Sequence, residues 1–158
     1  RDLFSLEPSL NNKKAENAVN VVVSSVNLVQ WLNRKGMPIG NKLKGGLSVP
    51  NWIRGRKLEQ AFIRGLFDTD GCVYVDHHLI KGKMYETLGW AITTYSGKLK
   101  NDIMRILKDF GFRPTSTSTQ KSVYMRRRRD IDMYFQEIGT NNSKHESRYK
   151  TGRVPKWL

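Results

Sequence analysis

A single cysteine, Cys72, in 158 residues leaves no internal disulfide framework and fits a reducing compartment. No apolar run approaches the roughly 20 residues needed to cross a bilayer, and no signal peptide is visible. An intracellular place, cytoplasmic or organellar, is expected, with no membrane partner. Hydrophobic residues make up 38%, low but enough for one core in a chain of ordinary domain size. Acids are scarce too: 14 Asp and Glu stand against 28 Lys and Arg, for a net charge of +14. That imbalance costs self-repulsion in the folded state and points to a polyanionic partner, nucleic acid ahead of an anionic membrane surface. The chain begins at Arg1 rather than Met, as a processed product or a fragment does.

What is present reads as alternating elements. Residues 19–25 predict a strand from their β-branched content, and 26–35 a short helix stopped at Gly36. A basic, Gly-rich loop from Gly40 to Ser48 leads to VPNWI at 49–53. A helix is predicted over about 57–69, then strands over about 72–79 and 84–95 joined by a Lys-Gly-Lys turn. A helix over about 98–110 stops at Gly111, and strands follow near 112–119 and 122–128. The last helix is placed at about 130–138 with Asp130 as N-cap, ahead of a basic, loop-like tail over 139–153 and VPKWL at 154–158.

That order repeats. Strand, Ser25, helix, Gly36, Gly40-Asn41-Lys42 and the 49–53 tag are answered by strand, Ser96, helix, Gly111, Ser143-Lys144-His145 and the 154–158 tag. No earlier copy of the stretch AFIRGLFDTDG at 61–71 exists. Residues 1–53 therefore read as the remnant of a preceding unit, and 54–158 as a complete one.

The stretch at 61–71 is the informative one. Ala61, Gly65 and Thr69 recur every four residues and share one helix face. A face of small residues lets two helices approach to near backbone contact, a use that justifies a mid-helix Gly costing about 1 kcal/mol against Ala. The acids Asp68 and Asp70 fall where the helix stops, with Gly71 suited to a left-handed cap. Were two such helices paired, their carboxylates would repel unless a divalent cation sat between them. The residues alone leave two readings open: a metal site at a helix–helix interface, or a polar turn after a buried helix.

Residues 113–129, RPTSTSTQKSVYMRRRR, supply donors and acceptors suited to base edges. Strand alternation sets Thr115, Thr117 and Thr119, then Tyr124, Arg126 and Arg128, as candidates for a nucleic-acid face. Lys81, Lys83 and Lys121 at strand tips suit phosphate contact. A solvated basic sheet is the alternative. Asp76-His77-His78 has the letters of a DHH phosphodiesterase tag but lacks its companion acidic motifs, and His145-Glu146 has no partner histidine at zinc spacing. Cys72 is expected in the core, and Trp31, Trp52, Trp90 and Trp157 as core or linker anchors.

IRGLFDTDG at 63–71 resembles the LAGLIDADG signature of homing endonucleases, including those inside inteins. Gly65, Leu66, Asp68, Asp70 and Gly71 coincide with its letters, while Arg64 and Thr69 replace its alanines. YSGKL at 95–99 and IGTNNSKH at 138–145 also look like intein-type members. The resemblance implies an α+β fold, αββαββα, with an antiparallel four-stranded DNA-binding sheet and helices on one face. It implies two paired motif helices, from a homodimer or from two halves of one chain, of which a half is missing here. It implies site-specific cleavage of double-stranded DNA at a long, nearly two-fold site. The last acid, Asp70, with Gly71 beside it, would hold Mg2+ or another divalent cation. Asp68 would stabilise the helix, and Lys144, with Lys42 as its counterpart by the repeat, would help activate water. A non-cleaving DNA-binding regulator, an RNA-binding maturase and an intein fragment are the alternatives. The chain lacks the Cys or Ser start and His-Asn end of protein splicing, so it is not expected to splice alone.

Overall fold

The computed structural model describes residues 4–13, 18–41, 46–117, 119 and 121–152. Lys42 and the 154–158 tag, with Trp157, lie outside the described residues. Two compact units divide the chain, Arg1–Gly40 and Asn41–Leu158.

In the first unit, β1 (Ser9–Lys13) pairs antiparallel with β2 (Ala18–Val22), and α1 (Val26–Arg34) follows. β2 and α1 fall where the sequence places a strand and a helix. β1 has no sequence signal, because SLNNK carries one apolar residue and no alternation. Ser25 stands three residues beyond the strand and caps α1, its Oγ accepting from the Leu28 amide at 3.2 Å. Gly36, at φ 95°, ends the helical segment in a conformation that costs glycine little.

The second unit repeats this device and completes it. It holds α2 (Arg56–Asp70), β3 (Gly71–Ile80), β4 (Lys83–Thr93), α3 (Gly97–Asp109), β5 (Ser122–Met125), α4 (Arg128–Glu137) and α5 (Ser143–Thr151). Ser96 again stands three residues beyond its strand and caps α3 through the Leu99 amide at 3.3 Å, and Gly111, at φ 87°, follows the helix. A Ser cap of this kind contributes about 1 kcal/mol.

The strands form an antiparallel sheet in the order β3-β4-β5. Among the described residues, the strand predicted near 112–119 is reduced to a single bridge, Thr115 to Tyr124, on the outer side of β5. A side chain continues the ladder there, as Ser116 Oγ donates to the Ser122 carbonyl at 2.8 Å.

Alternation sorts the two faces. Val73, Val75, Leu88, Trp90, Ile92, Val123 and Met125 turn toward the helices, where they meet Ile63 and Phe67 of α2, Leu99, Ile103, Ile106 and Leu107 of α3, and Ile131 and Tyr134 of α4. Each such burial contributes about 1.5–3 kcal/mol. The 49–53 tag is an anchor for this core: Val49 and Ile53 are buried, and the Val49 amide donates to Asp102 of α3 at 2.9 Å. Trp90 is a core residue, while Trp31 and Trp52 are exposed.

Four local expectations are corrected. Asp130 is not an N-cap: α4 starts at Arg128, and Asp130, buried in its first turn, accepts from the Arg113 amide at 3.1 Å. β5 ends at Met125, so Arg128 opens a helix instead of extending a strand. Residues 143–151 of the tail form α5. Gly71 is extended, at φ −92°, and starts β3. Its glycine identity comes from packing, since a Cβ there would fall 2.8 Å from Phe67 Cα and closer still to the Phe67 carbonyl oxygen and ring. Backbone cannot move aside cheaply. Gly71→Ala is therefore expected to destabilise the unit by about 2 kcal/mol or more, read as a lower denaturant midpoint at unchanged slope. An unchanged midpoint would mean that the helix–strand junction has slack.

Candidate active site and nucleic-acid interface

α2 has two sides. Ile63 and Phe67 are fully buried, and Phe67 is a hub, with ring centroids 5.0 Å from Trp90, 5.1 Å from Tyr134 and 4.8 Å from His145. Ala61, Gly65 and Thr69 lie on the other side, exposed, and among the described residues nothing beyond the helix's own backbone and the adjoining residues comes within 4 Å of a Cβ built at Gly65. Phe62 and Leu66 flank that face half-buried. The Thr69 hydroxyl turns back onto its own helix, 3.2 Å from the Gly65 carbonyl and 3.1 Å from Asp70 Oδ2. The sequence thus builds a helix whose apolar side pins it to the sheet and whose small-residue side is bare.

The two acids at its end have separate tasks. Asp68 is structural: its carboxylate accepts from the Thr140 hydroxyl and from the Asn141 amide at 3.1 Å, and its carbonyl accepts from Asn142 Nδ2 at 3.0 Å. These bonds fasten the loop after α4 to the motif helix. Asp70 makes no such tie and is exposed, with the Thr69 hydroxyl beside it. A carboxylate and carbonyls at the C-terminal end of a helix suit a hard, oxygen-preferring cation such as Mg2+. Among the described residues, no three His, Cys, Asp or Glu side chains gather into a ligand group. The chain offers Asp70 there, with Gly71 at the strand start next to it.

Lys144 stands in the first turn of α5, directly after the loop that Asp68 holds. Asn142 caps this helix, its Oδ1 accepting from the Lys144 amide at 3.1 Å. His145 is buried against Phe67, close to Asp68. Burial, more than the nearby Arg148 and Lys144, holds its imidazole below the usual value of 6.5, with Asp68 opposing. The unfolded chain thus takes up a proton more readily than the folded one, and stability is lost as pH falls below about 6.5. Melting between pH 8 and 5 should show this loss, and His145→Gln should flatten it. An equal slope in the variant would place the titration elsewhere.

The sheet's other face is open. Tyr74, Asp76, His78, Thr87, Thr93, Ser122, Tyr124 and Thr115 line it by register. The Tyr74 ring lies across Gly89, where a Cβ would meet it at 2.7 Å or less, and Arg126, near Tyr74, sits 5.4 Å over the Tyr124 ring. Burial pushes the Tyr74 phenol up, against Arg126. Thr117 and Thr119 are exposed, their hydroxyls 3.3 Å apart, and Lys121 Nζ lies 4.1 Å over Tyr95. Lys81, at φ 50°, and Lys83 flank the β3–β4 turn. Arg128 departs from this group, bonded to Asp132 at 2.9 Å and stacked on Tyr149. Cys72 is half-buried opposite Ala91, on the face away from the helices, and burial raises its thiol.

Sequence reasoning missed Thr140, Asn141 and Asn142 as the joint between α2 and α5. The sequence held a signal for α5 alone, Asn142 as its cap and Gly152, at φ 61°, as its stop, and none for the joint.

A helical layer over an antiparallel sheet, with a small-residue helix face ending in an exposed acid, defines an α+β fold class. The chain belongs to the LAGLIDADG family of homing endonucleases, since the model of the LAGLIDADG-like domain matches residues 57–139. The tRNA-splicing ligase RtcB of Methanopyrus kandleri is 29% identical over 108 residues, 62% of this chain and 10% of that protein. Two solved structures are similar at 15% identity: a mutant of I-SmaMI (TM-score 0.46, 81% of this chain and 43% of that one) and the meganuclease I-SmaMI bound to uncleavable DNA (TM-score 0.40, 80% and 48%). The chain thus spans less than half the length of the relatives it matches. No helix among the described residues is long and apolar enough to cross a membrane.

Proposed function

We propose that the chain is one motif unit of a site-specific, metal-dependent double-stranded DNA endonuclease. The observation that carries this is the end of α2, where an exposed Asp70 closes a bare Ala61–Gly65–Thr69 face and Lys144 is fastened to the same helix end. Bound there, Mg2+ would supply Lewis-acid activation of the attacking water and stabilise the leaving oxygen of the scissile phosphate. Asp70 would hold the ion, with Gly71 adjoining. Lys144 would neutralise developing charge, with Lys42 as its counterpart in the other half. The open sheet face, with Thr115, Thr117, Thr119, Lys121, Tyr124 and Arg126, would read the groove, and Lys81 and Lys83 would contact phosphates. Arg128, at a helix start and bonded to Asp132, stands outside that set.

Residues 1–53 are proposed as the back end of a preceding unit, supported by the matched strand, Ser cap and Gly stop in both units. A matched stretch covering a tenth of a much longer relative supports a unit carried inside a host chain, as in inteins. Selection of cut duplexes from a randomised library with Mg2+, repeated with chelator, tests the reading. Bound but uncut duplexes would favour a regulator, and tighter binding to structured RNA at matched salt a maturase.

Pairing is part of the proposal. Self-association covers the bare face of α2, so a dimer is expected by light scattering. Gly65→Leu should give a monomer or an insoluble chain, because a large side chain keeps the two backbones apart. A clean wild-type monomer would instead point to a missing partner half.

A further inference from the structure

We propose that Asn142 is the positioning residue of this site, the joint that holds Lys144 against the end of the helix bearing Asp70. The proposal rests on the endonuclease reading for its role and on hydrogen-bond geometry for its substance. One amide group serves two helices. Its Oδ1 accepts from the Lys144 amide at 3.1 Å, capping α5, and its Nδ2 donates to the Asp68 carbonyl at 3.0 Å, at the end of α2. The Asp68 carbonyl is among the last four of its helix and has no turn above it to supply a donor. Asn142 supplies one.

The residue type follows from this double task. Capping needs only an acceptor, which Ser, Thr or Asp would offer equally. Among the good caps only Asn adds an N–H donor of the same reach. The loop is braced from behind as well, because the Asn142 amide donates to Thr140 Oγ1 at 3.1 Å while that hydroxyl donates to the Asp68 carboxylate. Lys144 is thereby tied to the motif helix through a side chain, and α5 cannot slide along α2 without breaking the tie.

Asn142→Asp separates the two tasks, since it keeps the capping acceptor and removes the donor. Asn142→Ser keeps the acceptor without adding charge and loses the reach of the amide donor, its hydroxyl being one atom shorter, and Asn142→Ala removes both. In the full chain with 13C-dimethylated lysines, Asp70→Asn is expected to shift the Lys144 methyl resonance. In the Asn142→Asp or Asn142→Ser background that shift should be lost. On a duplex selected as above, the single-turnover rate at saturating DNA should fall about 10–100-fold, the cost typical of second-layer ligands, with KM changed less than about twofold. The thermal midpoint should stay near wild type for Asn142→Ser and fall for Asn142→Ala. An equal resonance shift in both backgrounds, or a rate loss only in Asn142→Ala, would reduce Asn142 to a cap and overturn the proposal. A wild-type chain that cuts no duplex would sink the endonuclease reading, while the resonance comparison would still decide the joint.

Discussion

Replacing Asp70 by Asn is expected to abolish cleavage, by a factor on the order of 10³ or more, while duplex affinity stays within a few fold. A thousandfold loss corresponds to about 4 kcal/mol of transition-state stabilisation. The asymmetry follows from where the residue sits. Asp70 is exposed at the end of α2 and carries none of the bonds that hold α5 or the sheet, so its amide analogue leaves the binding surface intact. Asp68→Asn should behave differently, because its carboxylate fastens residues 140 and 141. Titration of a selected duplex under non-cutting conditions, followed by single-turnover rates with Mg2+, checks both halves. Full cutting by the Asp70 variant would remove that carboxylate from the mechanism.

Raising salt should weaken binding steeply. On the proposed reading, a net charge of +14 and an open face bordered by Lys81, Lys83, Lys121 and Arg126 would make phosphate neutralisation the main source of affinity. If about six to ten phosphates are neutralised, affinity should drop about 10³–10⁵-fold between 50 and 200 mM salt. Lys83→Ala should lower the slope of log K against log salt by about one. A flat response would mean that the basic sheet is not the binding surface.

The motif helix was legible in the sequence because three signals agree there: small residues every four positions, apolar residues on the opposite side and acids at the stop. Ser25 and Ser96 were legible as a repeated mark between strand and helix, and the structure adds that each caps the helix after it. α5 was not, because SKHESRYKT carries no apolar stripe and buries only His145; tertiary bonds to Asp68 make it, not periodicity. Arg126 to Arg129 misled for a related reason. A charged run has no period of its own, and the buried Asp130 decides where strand gives way to helix. At Gly71 the letters were right and the cause was not: the close approach of Phe67, rather than a left-handed backbone, excludes a side chain. The joint at Asn142 links residues 74 positions apart, a distance over which a single sequence carries no pairing signal.

The β3–β4 hairpin runs to Ile80 and Lys83, yet β5 joins it only at Trp90–Thr93, and its core-packed positions end at Val75 and Leu88. Beyond them Leu79, Ile80, Met84 and Tyr85 are exposed on a ribbon of two strands. Ribbons of that width twist more strongly than wider sheets. The hairpin therefore has a root backed by the helices and an arm without that backing, in which a steeper pitch is expected than in the root.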